Sequence, residues 1–188
     1  MTDSATAPQY VEFATTSNFS FLRGASHAEE LIATAVHLGL SGFGLADRNS
    51  VAGVVRAHAA LRDDARERGQ PTPLRYHPGA RLVFIDGTPD VLAYPRHRKG
   101  WARLCRLLTL GNRRAEKGDC HLTETDLLDH ADGLSLIVVP KASNPATALP
   151  SLSRLREAVP GFVRLAAAMI CTAAWPHTPK QPKLRAYL

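Results

Sequence analysis

Residue types able to do chemistry are plentiful in this chain, but few are spaced to act together. Eight histidines invite a metal reading. His27 follows a serine at the expected start of a helix, His37 and His58 fall within helical patterns, and His121 and His130 flank a short helix. None belongs to an H-x-H, H-E-x-x-H or mixed Cys/His spacing, so they read as surface or helix-end residues. Cys120 beside His121 offers a thiol and an imidazole. Adjacent residues seldom align as nucleophile and base, and no acid is placed to orient the ring. A cationic stretch stands out more: Arg96, Arg98, Lys99, Arg103 and Arg106, then Arg113, Arg114 and Lys117. Such a stretch can meet a DNA backbone or an acidic protein surface, or it can be a solvated helix face. For Arg113, Arg114 and Lys117, between Gly111 and Gly118, both readings stay open as a nucleic-acid or partner contact.

The elements that must position these residues follow from periodicity. Tyr10 to Thr16 is β-branched and aromatic and predicts a first strand. Ser26 stands three residues before Glu29, the spacing of a capping box, and Leu31, Ile32, Ala35 and Leu38 continue it as a helix that Gly39 stops. Gly42 to Ala46 predicts a buried strand ending at Asp47. Asn49 or Ser50 is expected to cap a second helix that dissolves at Gly69-Gln70-Pro71. Ala80 to Ile85 and Val91 to Tyr94 predict a hairpin about Asp86-Gly87. A helix over Lys99 to Leu110, a basic loop to Cys120, a short helix opened by Thr123, a strand over Leu134 to Val139, a helix over Ser151 to Val159 and a strand over Phe162 to Leu165 complete the pattern. Strands alternating with helices imply βαβ units and a largely parallel sheet or barrel. With 188 residues and 45% apolar content, the chain suits one domain with a core of its own. No apolar run approaches the roughly 20 residues of a membrane span. Three unpaired cysteines suit a reducing cytoplasm, and the net charge of +6 favours polyanionic partners.

From Tyr10, the run Tyr-Val-Glu-Phe-Ala-Thr-Thr-Ser-Asn-Phe-Ser-Phe-Leu-Arg-Gly-Ala-Ser-His resembles the opening of the PHP domain in error-prone C-family DNA polymerases. The resemblance continues through Gly44 to His58, Pro78 to Phe84, Arg103 to Gly111 and Arg113 to Leu122, and covers the chain to about Leu165. It implies a distorted (β/α) barrel, here partial and incomplete at its C-terminal end. In active members of the family, strand ends hold divalent metals that activate water and stabilise phosphate charge for phosphoester hydrolysis.

The matching positions depart from that pattern. Where active members carry His-x-His, this chain has Ala14 and Thr16. Asp47 keeps its acid, but Arg48 and Asn49 replace the His and Asp that follow it, Arg81 replaces a carboxylate, and Asp90 stands at a later His position. A guanidinium at a metal position repels the ion. The resemblance therefore implies a degenerate metal site and no catalytic residue. It further implies an N-terminal fragment of a DNA-directed polymerase, with no polymerase activity by itself and no cofactor or small-molecule substrate of its own. Magnesium, DNA and the remainder of the polymerase belong to the parent protein. The competing reading is a stand-alone PHP-like metal-dependent phosphoesterase.

Residues 1–8 are expected to be a disordered tail, 9–167 the truncated domain, and 168–188 an irregular, proline-rich tail. Read from each codon's third base, with suitable codons, Ala168 to Ala174 can spell His-Asp-Leu-Tyr-Arg-Gly, which resembles family text after the same strand. A frameshift would account for the tail. An incomplete barrel is also expected to be poorly soluble or partly molten, through its exposed edge.

Overall fold

The computed structural model describes residues 10–141, 144–169 and 183–186. Seven strands form one sheet in chain order: β1 Val11–Thr15, β2 Gly42–Arg48, β3 Arg75–Leu82, β4 Asp90–Pro95, β5 Leu134–Val139, β6 Val163–Met169 and β7 Lys183–Ala186. β1, β2 and β3 are mutually parallel, β4 runs antiparallel to both β3 and β5, and β6 lies parallel to β5 with β7 antiparallel to it. The sheet curls far enough for β7 to approach β1. This is the partial, distorted (β/α) barrel expected of the sequence.

Helices cover the outer face. α1 (Ala28–His37) and α2 (Val54–Arg68) pack on the β1–β3 side, where Ile32, Ala35, Phe43, Leu45, Ala57 and Leu74 form one buried cluster. α3 (Arg98–Arg114), α4 (Glu124–His130) and α5 (Leu149–Ala158) cover the rest through a larger cluster built on Leu82, Val91, Leu104, Leu107, Leu136 and Leu155. β4 shows how both faces are filled. Val91 and Ala93 enter the helix-side core, while Leu92 and Tyr94 enter an inner cluster with Ala46, Ile137 and Ala166. A strand buried on both faces loses polar alternation, as its near-continuous apolar text requires.

Several boundaries differ from the sequence reading, each for a local reason. α1 is capped by His27, not Ser26, because the Glu30 carboxylate accepts the His27 N–H at 2.8 Å. α2 starts at Val54 because Asn49 takes a left-handed φ of 45° and spends its amide on Val83, just past the end of β3. β3 starts at Arg75 despite Pro78, whose missing N–H is tolerated because β4 pairs only with Ala80 to Leu82. The connection to β4 is correspondingly longer than a two-residue turn. α3 runs on to Arg114, so the first residues of the expected basic loop are helical. β6 extends to Met169, and Lys183–Ala186 is a strand inside the tail expected to be irregular. No proline falls within those four residues, and β6 offers them an edge. Residues 1–9, 170–182 and 187–188, with most of the two expected tails and Cys171, lie outside the described residues.

Candidate functional site: a strand-end clasp

The parallel strands deliver Asp47, Arg48 and Asn49 (from the end of β2) and Arg81 (from the end of β3) to one rim of the sheet. Asp90 joins them because β4 starts at that rim. Thr16, half-buried where β1 leaves the sheet, reaches the same rim directly before Ser17, so the fold brings six of the seven positions into one neighbourhood, while Ala14 packs against the inner apolar cluster.

Asp47 is only 1% exposed. Its Oδ1 accepts the Ser17 N–H at 2.8 Å and the Ser20 hydroxyl at 2.7 Å, and its Oδ2 accepts the Ser17 hydroxyl at 2.7 Å. Ser20 in turn accepts the Arg48 N–H at 2.8 Å. Gly53 closes the cradle: a Cβ there would stand 3.0 Å from Oδ2 and 3.1 Å from Ser17 Oγ. A buried carboxylate requires such donors, since leaving it unpaired costs several kcal/mol, roughly. Asp47 thus fastens the loop after β1 to the end of β2. Ser17 and Ser20 carry no motif, and only their place opposite a buried acid reveals them.

The neighbouring positions hold each other in the same way. Asn49 Nδ2 donates to the Val83 carbonyl at 3.1 Å while its Oδ1 accepts the Val83 N–H at 2.8 Å. Its own N–H donates to the Arg81 carbonyl at 2.9 Å, so one side chain continues the β2–β3 ladder past its last backbone pair. Arg81 donates from Nε and Nη2 to Asp90 Oδ2, both at 2.8 Å. Among the described residues, no group of three or more His, Cys, Asp or Glu side chains is arranged to hold a metal. With the acid saturated by donors and a guanidinium on the adjacent strand, this donor set does not fit a cluster of divalent ions.

The cationic stretch divides. Arg103 pairs with Asp132 at 2.9 Å, and the Arg96 guanidinium lies 3.5 Å from the centre of the Phe162 ring. Arg114 pairs with Asp126 at 2.6 Å, so it braces the fold. Arg113 and Lys117 are exposed, without an ion pair among the described residues. Cys105 and Cys120 are free and half-buried, and burial raises both thiols, which removes the reactive thiolate that a Cys120–His121 pair needs.

Asp126 supplies a pH handle. Its side chain is 8% exposed, and burial alone would raise its pKa. The hydrogen bond from Arg114, the Thr123 N–H and hydroxyl, and the Arg114 charge together outweigh burial and hold the carboxyl below its ordinary value. A depressed folded pKa gives stability that is full above the unfolded value and lost as pH falls through the folded one. Asp126→Asn should therefore melt earlier than wild type at neutral pH, and the gap should narrow below about pH 4. A gap in Tm that stays constant down to acid pH would contradict this role.

The architecture defines a PHP-type α/β domain. A chain from Bifidobacterium adolescentis assigned as a metal-dependent phosphoesterase matches it with a TM-score of 0.55 at 13% identity, over 84% of this chain and 77% of that one. At that identity the match speaks for the fold alone. In sequence, the chain is 52% identical to the error-prone DNA polymerase of Sinorhizobium medicae over 79% of its length, and 49% identical to that of Brucella abortus over 85%. The matched stretch covers 13% and 15% of those two proteins. No protein-family model matches the chain. The chain is thus similar to one segment of these error-prone DNA polymerases and spans about an eighth to a seventh of their length. No helix among the described residues is long and apolar enough to cross a membrane.

Proposed function

We propose that this chain is the PHP-type module of an error-prone DNA polymerase, a structural brace for the polymerase body that neither hydrolyses nor transfers phosphate itself. The observation that carries this reading is the strand-end clasp, where Asp47 accepts three hydrogen bonds and Arg81 is paired with Asp90. Nucleotidyl transfer needs carboxylates that hold magnesium, and it would fall to parts of the parent protein beyond this segment. In that parent the partners are the remaining domains and DNA, the setting is the cytoplasm, and the work is replication and damage-induced translesion synthesis in DNA repair. The module needs no cofactor or small-molecule substrate.

The fold it shares with a protein assigned as a phosphoesterase supplies the competing reading. Elemental analysis of the purified chain after exposure to manganese, zinc and magnesium separates the two, combined with cleavage of a chromogenic phosphodiester. Substoichiometric metal and no cleavage are expected. Two or more ions retained per chain, together with hydrolysis, would restore the enzyme. Sequencing the locus addresses the tail: family-like text in the alternative frame downstream of Ala168 is expected, and its absence removes the frameshift.

A further inference from the structure

A second feature lies away from the clasp, on the outer layer. α3 carries Lys99, Arg106 and Arg113 at intervals of seven residues, so they fall on nearly one face of the helix and span about 21 Å along it. All three are exposed, and none has an ion-pair partner among the described residues. The C-terminal half of this stripe opens into a cleft of about 600 Å³ lined by Arg106, Thr109, Leu110, Arg113, Arg114 and His130. No carboxylate lines it, and Arg114 is already neutralised by Asp126.

A simpler account would have cations at a helix C-terminus merely offset the helix dipole, an effect confined to the last turn. It covers Arg113 but not Arg106, two turns earlier, nor Lys99 in the first turn, where a cation is unfavourable. Uncompensated cations repel one another and are best relieved by an anion that reaches all of them. A guanidinium recognises phosphate through paired N–H donors. The length of the stripe exceeds what a single mononucleotide spans and suits a polymer of phosphates.

We propose that the cleft between the second half of α3 and α4 binds the phosphodiester backbone of a nucleic-acid strand. Arg106 and Arg113 meet phosphates there, and Lys99 extends the track. The site is independent of the strand-end clasp, so its failure would leave the structural reading of the clasp intact, and the reverse also holds.

Fluorescence anisotropy of the full chain with a labelled oligothymidylate, and separately with a duplex of equal length, tests this across a salt series. Binding at low salt is expected. Arg106→Gln/Arg113→Gln should weaken it about tenfold and reduce the log–log salt slope by about 1.4, given roughly 0.7 per phosphate on a single strand. Arg62→Gln/Arg156→Gln removes the same charge from exposed arginines elsewhere that have no ion pair among the described residues. It should shift affinity less than about twofold if contact rather than total charge matters. Arg106→Lys/Arg113→Lys should keep the slope, and unchanged melting of the glutamine pair shows that the fold survives. Equal losses in the two glutamine pairs, no binding at low salt, or competition by polyglutamate as effective as by oligonucleotide would each overturn the proposal. The stronger of the single-strand and duplex isotherms identifies the form bound.

Discussion

Asp47→Ala should destabilise the domain by about 3 kcal/mol, read as the shift in a urea or thermal melt, whether or not divalent metal is present. The substitution strands the Ser17 N–H and the Ser17 and Ser20 hydroxyls, all buried. Each buried donor left unpaired costs about 1–3 kcal/mol, and the two hydroxyls recover part of that by rotating. Asp47→Asn keeps one acceptor oxygen and should lose less. A metal ligand would behave differently: its removal would abolish stabilisation by added manganese and leave the metal-free melt almost unchanged. Observing that pattern would refute the clasp.

Gly79→Ala should cost at least about 3 kcal/mol, at the upper end of overpacking effects, because the new methyl has nowhere to go. A Cβ at Gly79 would lie 2.5 Å from Tyr94 Cδ1 and 2.7 Å from the Ala93 carbonyl oxygen. Tyr94 cannot swing clear. The residue is 5% exposed, and its hydroxyl donates to the Phe13 carbonyl. The companion Gly79→Ala/Tyr94→Leu variant should recover a good part of the loss, since it shortens the obstructing side chain. Equal destabilisation with and without the tyrosine would mean that the strand backbone, not the ring, sets the limit.

Much of the scaffold was legible because it rests on local periodicity. β5 runs over Leu134–Val139 as its apolar text requires, and Thr123 caps α4 with its hydroxyl toward Asp126. Residues with two competing partners were less legible. Asn49 looks like a helix cap until Val83, thirty-four residues away, takes its amide. Pro78 hides the first half of β3 because strand propensity cannot anticipate that the β4 side is left unpaired there. At the rim, sequence marked Asp47 as a retained acid and Arg48, Asn49 and Arg81 as departures from the family pattern, but not the partners that these residues find in the fold. The serines that hold Asp47 lie 27 and 30 residues from it, and no spacing rule joins them. Arg114 likewise read as available charge until the fold set it against Asp126.

The slot occupied by Tyr94 bears on the order in which this domain assembles. Gly44 on β2 and Gly79 on β3 leave room for the ring, which crosses both strands to reach a carbonyl eighty-one residues earlier in the chain. Closing so wide a loop carries an entropic cost before any contact offsets it, and such distant pairings slow folding. The contact of Tyr94 with β1 therefore forms only once β4 is in place, whereas pairing with β2 and the Asp47 clasp can hold β1 before that.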